Sequence, residues 1–270
     1  GLRQYGSSIY GANRTGEAYK RNTHYYDYTL DNILTYTKSF GDHNITATAV
    51  YGAIERSYDS SGARATGFDR LNLSYNNLAL GAIQFTGSSG WKEALNYQMG
   101  RINYSFDNKY LLTATVRRDG YSGFAANHKY ALFPTLALGW VISSEPFMKN
   151  LTLLNTLKLR AGYGESGNMT SRYSSIAKVI TNGAYVYGDG GSTAFGQQVT
   201  ALGNPNLKWE RTKGLNLGMD FSLFNNRLFG NLEYYINNTH DLLYSVALPE
   251  ITGFPYILTN LGQLRYKGFE

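Results

Sequence analysis

The sequence predicts an all-β chain forming the wall of an antiparallel transmembrane β-barrel, with short turns at one end of its strands and long loops at the other. Three observations carry this. Successive segments alternate apolar and polar side chains, which gives each strand one oily and one wet face. They are joined in turn by tight polar turns and long polar loops, the rhythm of outer-membrane barrels. No stretch approaches the ~18 uninterrupted apolar residues of a spanning helix, and mean hydropathy is only -0.34, whereas a barrel strand crosses with about 9 to 11 alternating residues.

The first strand covers 25–40, where Tyr26, Tyr28, Leu30, Leu34, Tyr36 and Phe40 share one parity and Asp27, Thr29, Asp31, Thr35, Thr37 and Ser39 the other. Gly41-Asp42-His43-Asn44 tolerates positive φ and caps a turn into a partner over 44–58. A polar stretch over 57–91 then reads as a long loop. Asp107-Asn108-Lys109 joins strands over 93–106 and 109–119. On the outgoing one the apolar parity changes from Leu95, Tyr97 and Met99 to Ile102, Tyr104 and Phe106, which predicts a bulge near Gly100. After a loop over 119–129 comes a strand over 130–143, in which Pro134 predicts an irregular ladder.

A turn over 144–155, with one helical turn over 147–151, leads to a strand that sets Leu157, Leu159, Ala161 and Tyr163 against Lys158 and Arg160. The longest loop, 165–210, closes into Leu215, Leu217, Met219, Phe221 and Leu223. Asn225-Asn226-Arg227 turns that strand into Leu228, Leu232, Tyr234 and Ile236, and a loop over 238–261 precedes an unfinished last strand. That makes eight strands and a ninth that breaks off, with a further one before Tyr25 left open. Phe40, Phe106 with Tyr110, Phe147, and Phe224 with Phe229 fall at the short-turn end, where an aromatic girdle at the headgroup boundary is expected.

Composition narrows the chemistry. With no Cys among 270 residues there is no disulfide framework, thiolate metal site or cysteine nucleophile. His24, His43, His128 and His240 lack the spacing of a helical metal site and read as surface residues. Gly188-Asp189-Gly190-Gly191-Ser192 lacks the ending of a phosphate cradle and reads as a loop tip, and Gly164-Glu165-Ser166-Gly167 is one residue short of a nucleophile elbow. No enzyme, cofactor or metal is therefore expected. The net charge of +6 is scattered, which argues against nucleic acid. The basic residues read as solvated surface, with lipid phosphates as the alternative near the loops. Asp27, Asp31, Asp220 and Glu233 fall on the wet parity and read as pore lining. Neither Gly1-Leu2-Arg3-Gln4-Tyr5 nor Lys267-Gly268-Phe269-Glu270 looks like a natural terminus, so the chain reads as a segment.

A run of motifs then becomes specific. Lys109-Tyr110-Leu111-Leu112-Thr113-Ala114-Thr115-Val116-Arg117-Arg118-Asp119-Gly120 resembles a strand of SusC/RagA-like TonB-dependent transporters. In the same order follow Leu132-Phe133-Pro134, Gly139-Trp140-Val141-Ile142-Ser143 with Glu145-Pro146-Phe147, Leu157-Lys158-Leu159-Arg160-Ala161-Gly162-Tyr163-Gly164, and Leu202-Gly203-Asn204-Pro205-Asn206-Leu207-Lys208-Trp209-Glu210. Tyr234-Tyr235 with Asp241-Leu242-Leu243, and Lys267-Gly268-Phe269-Glu270, complete the set, which spans Tyr25 to the end.

The resemblance implies part of the wall of a barrel of about 22 strands in the outer membrane, over 1–270, with the plug, TonB box and closing strand having no counterpart here. It further implies TonB-energised import of an oligosaccharide or oligopeptide with a SusD-like lid lipoprotein. A passive porin or adhesion barrel and a secreted all-β glycan-binding module are the competing readings. Substrate contacts are expected of Trp91, Tyr187, Phe195 and Trp209, whose rings stack on sugars or pack the loops, and of lumen-facing Lys158 and Arg160.

Overall fold

The computed structural model describes residues 2–3, 16–68, 73–148, 150–151, 153–186, 191 and 193–270. A ten-stranded antiparallel sheet runs in the order β1 (Leu2–Arg3), β2 (Glu17–Phe40), β3 (His43–Thr66), β4 (Ile83–Phe106), β5 (Tyr110–Tyr121), β6 (Tyr130–Val141), β7 (Leu154–Asn168), β10 (Glu210–Leu223), β11 (Leu228–His240) and β14 (Gln263–Phe269). Two separate hairpins, β8 (Lys178–Val186) with β9 (Thr193–Ala201) and β12 (Leu243–Ala247) with β13 (Tyr256–Asn260), are inserted before β10 and β14. Contacts divide the chain into two compact units, Gly1–Thr29 with Ile54–Ala94 and Leu30–Ala53 with Leu95–Glu270.

The alternation seen in the sequence becomes two faces. In the second unit the ladder aligns Leu112, Leu138, Ala161, Leu217, Tyr234 and Phe269 in one continuous row across six strands. Its large side chains stay open among the described residues: Leu138 is 52% exposed and Leu217 45%. Opposed sandwich sheets would have buried these side chains against each other. Left bare in water, each would forgo about 25 cal/mol per Å² of apolar surface, so the face is built for hydrocarbon.

At the turn end the expected girdle is a chain of touching rings. Phe40 stacks on His43 (5.1 Å between centroids), His43 meets Phe106 (4.8 Å), and Phe106 meets Tyr110 (6.2 Å). His43 is thus part of the girdle, with its Nδ1 2.7 Å from the Tyr104 hydroxyl, and not a bare surface residue. Phe229 departs from the expectation, pairing with Ser222 on the wet parity. Asp107 and Asn108, both at positive φ, make the tight β4–β5 turn, whose twist matches the strands it joins. Beyond β6, Glu145 accepts hydrogen bonds from the Tyr110 hydroxyl (2.6 Å) and Trp140 Nε1 (3.0 Å). These two bonds, the tyrosine's first, hold its carboxyl below the ordinary 4.5.

Several boundaries and details differ from the sequence reading, each for a physical reason. The stretch 57–91 is mostly strand, because β3 continues to Thr66 and β4 begins at Ile83. Both faces are polar there, so alternation vanishes while the ladder persists, tied by Lys92–Glu55 (2.7 Å) and Arg64–Glu17 (3.7 Å). Before Tyr25, β2 already begins at Glu17, and the further strand left open there is β1, which pairs antiparallel with it through Leu2–Ala18 and Arg3–Glu17. Loops 165–210 and 238–261 contain the two hairpins, and 3-10 turns at Ile142–Ser144 and Pro146–Met148 replace the helical turn. Against β5 no bulge occurs at Gly100, since the two strands pair without a shift from Leu95 to Phe106. The upper apolar residues Leu95, Tyr97 and Met99 simply lie on the wet face. Pro134 pairs in register with Val116, yet the β6–β7 ladder stops at Thr135, beside the nitrogen that cannot donate. The glycine-rich tip 188–192 lies, apart from Gly191, outside the described residues.

The main buried cluster of the second unit stands at the loop end. Tyr121, Phe124, Ala131, Phe133, Leu207 and Trp209 pack together, with Leu95, Leu243 and Leu258 against them. Asparagines fasten it: Asn204 Nδ2 donates to Leu258 O (3.0 Å), while Asn260 accepts from Lys208 N (2.9 Å) and donates to Lys208 O and Asp241 O (both 2.8 Å). The motif from Leu202 to Glu210 is therefore a clasp that seats one loop on the β12–β13 hairpin.

Two outcomes follow. Truncation by Trp209→Ala should cost about 3–5 kcal/mol locally, so hydrogen exchange should accelerate over 121–131 and 243–260 while the wall strands keep their protection. The lowered carboxyl of Glu145 gives stability that is full above its ordinary 4.5 and is lost as pH falls through the depressed folded value. Thermal unfolding of the full-length protein should accordingly weaken toward acid, and Glu145→Gln should flatten that part of the profile.

Candidate functional site

The wet face carries the polar chemistry. In the first unit, Arg56 Nε donates to Asp27 Oδ2 (3.1 Å), and Arg56 Nη1 lies 3.6 Å from Glu93. Directly along the same face Trp91 stacks on Tyr58 (5.8 Å, 11° between planes) and meets Tyr25 edge-on (5.8 Å, 72°). Trp91 is therefore fixed within β4, not carried on a loop.

In the second unit the Tyr97 hydroxyl donates to Asp31, and the Arg117 guanidinium lies 4.6 Å from the centre of the Tyr97 ring. Arg117 Nε also donates to both Asp119 oxygens (2.9 Å each). The ring needs the space over Gly52, where a Cβ would fall 2.2 Å from it. Farther along, Arg160 makes a two-pronged contact with Asp220 (Nε to Oδ2 3.0 Å, Nη2 to Oδ1 2.8 Å) and a third bond to Glu233 Oε1 (2.7 Å). Asn216 Nδ2 donates to the other Glu233 oxygen (3.2 Å). Here Gly218 is the enabling residue, because its Cβ would lie 2.9 Å from the guanidinium carbon that crosses it. One cation thus bridges β7, β10 and β11, and the lining presents fixed pairs of mixed sign.

The expected contact residues are dispersed. Lys158 stands opposite Asp220, in the same patch as Arg160. Phe195 projects from β9, 74% exposed and opposite Ala184. Trp209 instead sits 4% exposed in the loop-end cluster with its Nε1 bonded to Lys129 O (2.9 Å), so its ring holds loops together. Tyr187 lies outside the described residues. Arg56 and Glu93 in the first unit, and Tyr97, Arg117 and Asp119 in the second, are further wet-face residues that the sequence reading did not single out as contacts. For Tyr97 the signal is Gly52, a glycine at a wet position facing a long polar side chain on the next strand, as Gly218 faces Arg160.

Comparison with known proteins agrees with this architecture. The family model described as TonB dependent receptor-like, beta-barrel matches residues 2–270. TonB-dependent receptor P3 of Formosa agariphila is 40% identical over 96% of this chain and 26% of its own length. TonB-dependent receptor SusC of Bacteroides thetaiotaomicron is 33% identical over 98% of this chain and 26% of its own. Among solved structures, the RagAB peptide transporter superposes with a TM-score of 0.83 at 28% identity, covering 94% of this chain and 28% of that one. The chain spans about a quarter of the length of the curated relatives it matches. It belongs to the TonB-dependent receptor-like β-barrel family, as a SusC/RagA-like stretch of outer-membrane wall whose apolar face meets lipid and whose polar face lines the lumen.

Proposed function

We propose that the full-length protein, of which this chain supplies part of the barrel domain, imports an oligosaccharide or oligopeptide. In this reading import is energised through TonB and served by a SusD-like lid lipoprotein. The observation that carries it is the likeness to the RagAB peptide importer, which is matched in both its closed-closed and open-open states, with TM-scores of 0.84 and 0.81. A wall that fits both states nearly equally supports a fixed scaffold on which plug and lid do the moving.

The geometry supports the same division of labour. Fixed ion pairs line the lumen, so cargo meets charges already neutralised by partners and is not trapped by a bare one. Trp91 on the upper wall, Phe195 on the β8–β9 hairpin, and Lys158 with Arg160 in the lumen are the proposed cargo contacts. Aromatic faces with nearby hydrogen-bonding groups suit sugar rings and peptide side chains alike.

Uptake of labelled oligosaccharide and oligopeptide pools by cells carrying the full-length protein tests this reading. Import should stop when the proton-motive force is collapsed; continued uptake would make the barrel a passive pore. Gly218→Val, which drives the Arg160 guanidinium off its carboxylates, should reduce uptake several-fold while outer-membrane abundance stays at the parental level.

A further inference from the structure

We propose that the lipid-facing side of this wall holds one aminophospholipid of the leaflet at the short-turn end, its acyl chain lying over Ala161 and its primary ammonium meeting Glu145. The inference rests on the membrane placement of the wall and not on the import reading.

The seat for the chain is a gap one side chain deep. Across the ladder Ala161 stands between Leu138 and Leu217, and along its own strand the outward parity places Leu159 and Tyr163 on either side of it. A methyl among larger side chains leaves a hollow. The surface has one there, a concavity of about 710 Å³ lined by Leu112, Leu138, Leu159, Ala161 and Leu217, with the Tyr110 and Trp140 rings at its turn end. Its size falls within the roughly 300 to 1,000 Å³ of sites that hold small molecules. At these positions β5, β6, β7 and β10 are each paired on both sides, so the hollow lies inside the sheet and away from its edges.

The seat for the ammonium is Glu145. Although it belongs to the turn after β6, its carboxylate comes back to the outward face, where the Tyr110 hydroxyl and Trp140 Nε1 both donate to Oε1 (2.6 and 3.0 Å). Oε2 accepts no hydrogen bond among the described residues, yet the residue is only 7% exposed. An ionised carboxylate has about four acceptor sites, and one withdrawn from water with an oxygen unspent calls for a cation. Lys109 does not serve, because its Nζ is held by Asp107 (2.5 Å). The rings that hold Glu145 are the ones that close the hollow, so the two seats are continuous at the level where aromatic belts meet headgroups. A primary ammonium brings N–H donors to Oε2 as well as charge, and bonds of that kind are the strong ones. A quaternary ammonium brings charge alone.

The test is native mass spectrometry of the full-length protein, purified in a neutral detergent and titrated with phosphatidylethanolamine, phosphatidylcholine or phosphatidylglycerol of the same acyl chains. Phosphatidylethanolamine should be retained about tenfold more tightly than either of the others. Glu145→Gln should abolish that preference. Ala161→Leu, which fills the hollow, should weaken all three lipids several-fold alike, and Tyr110→Phe, which removes one donor but leaves the carboxylate on Trp140, should keep the preference. Equal retention of the three lipids by the parent protein, or a preference that survives in E145Q, would overturn the proposal while leaving import intact. A preference lost in Y110F as fully as in E145Q would assign the effect to packing of the turn and overturn it as well. So would a lipid-free dimer that A161L splits, since the hollow would then be a contact between copies.

Discussion

Hydrogen-bond pairing of the backbone in a medium without water is the constraint on which this structure depends. In hydrocarbon a lone N–H or C=O costs several kcal/mol, so a wall can be made only of strands whose polar groups are spent on their neighbours. That requirement explains why registers run unshifted through β4, β5 and β6 even where Pro134 and Gly100 invite a break. It also explains why the β6–β7 ladder is interrupted only above Thr135, toward the loop end. Side chains are then free to differ on the two faces, because the ladder does not depend on them.

What happens beyond hydrocarbon follows different rules. The strands of the first unit are held by ion pairs and stacked rings, as at Arg56, Asp27 and Trp91. In the second unit the loops gather a conventional core around Trp209 and Leu207, both nearly fully buried. A membrane protein of this type has two solvents, and it builds its packed interior where water supplies the hydrophobic drive.

The lumen side shows how small residues place large charges. Gly218 and Gly52 leave flat backbone over which Arg160 and Tyr97 reach carboxylates on neighbouring strands. Side chains at these two places would push the polar groups away from their partners. The resulting lining holds its charges on fixed partners.

Much of this was legible in the chain itself. Alternation located the wall strands from β2 onward, because a half-lipid, half-water strand must repeat every two residues, and the ordered motifs from Lys109 onward pointed to the family. Strand ends were not legible wherever both faces are wet, as over 57–91, since the ladder leaves no trace in side-chain polarity. The even and odd apolar runs around Gly100 likewise suggested a bulge, when the upper run had a wet-face role, Tyr97 bonding Asp31 and Leu95 packing on the loop core. Only tertiary structure could assign Trp209 to a clasp and Arg160 to two carboxylates on other strands. Those partners lie tens of residues away, and cross-strand register, not local sequence, decides which of them meet.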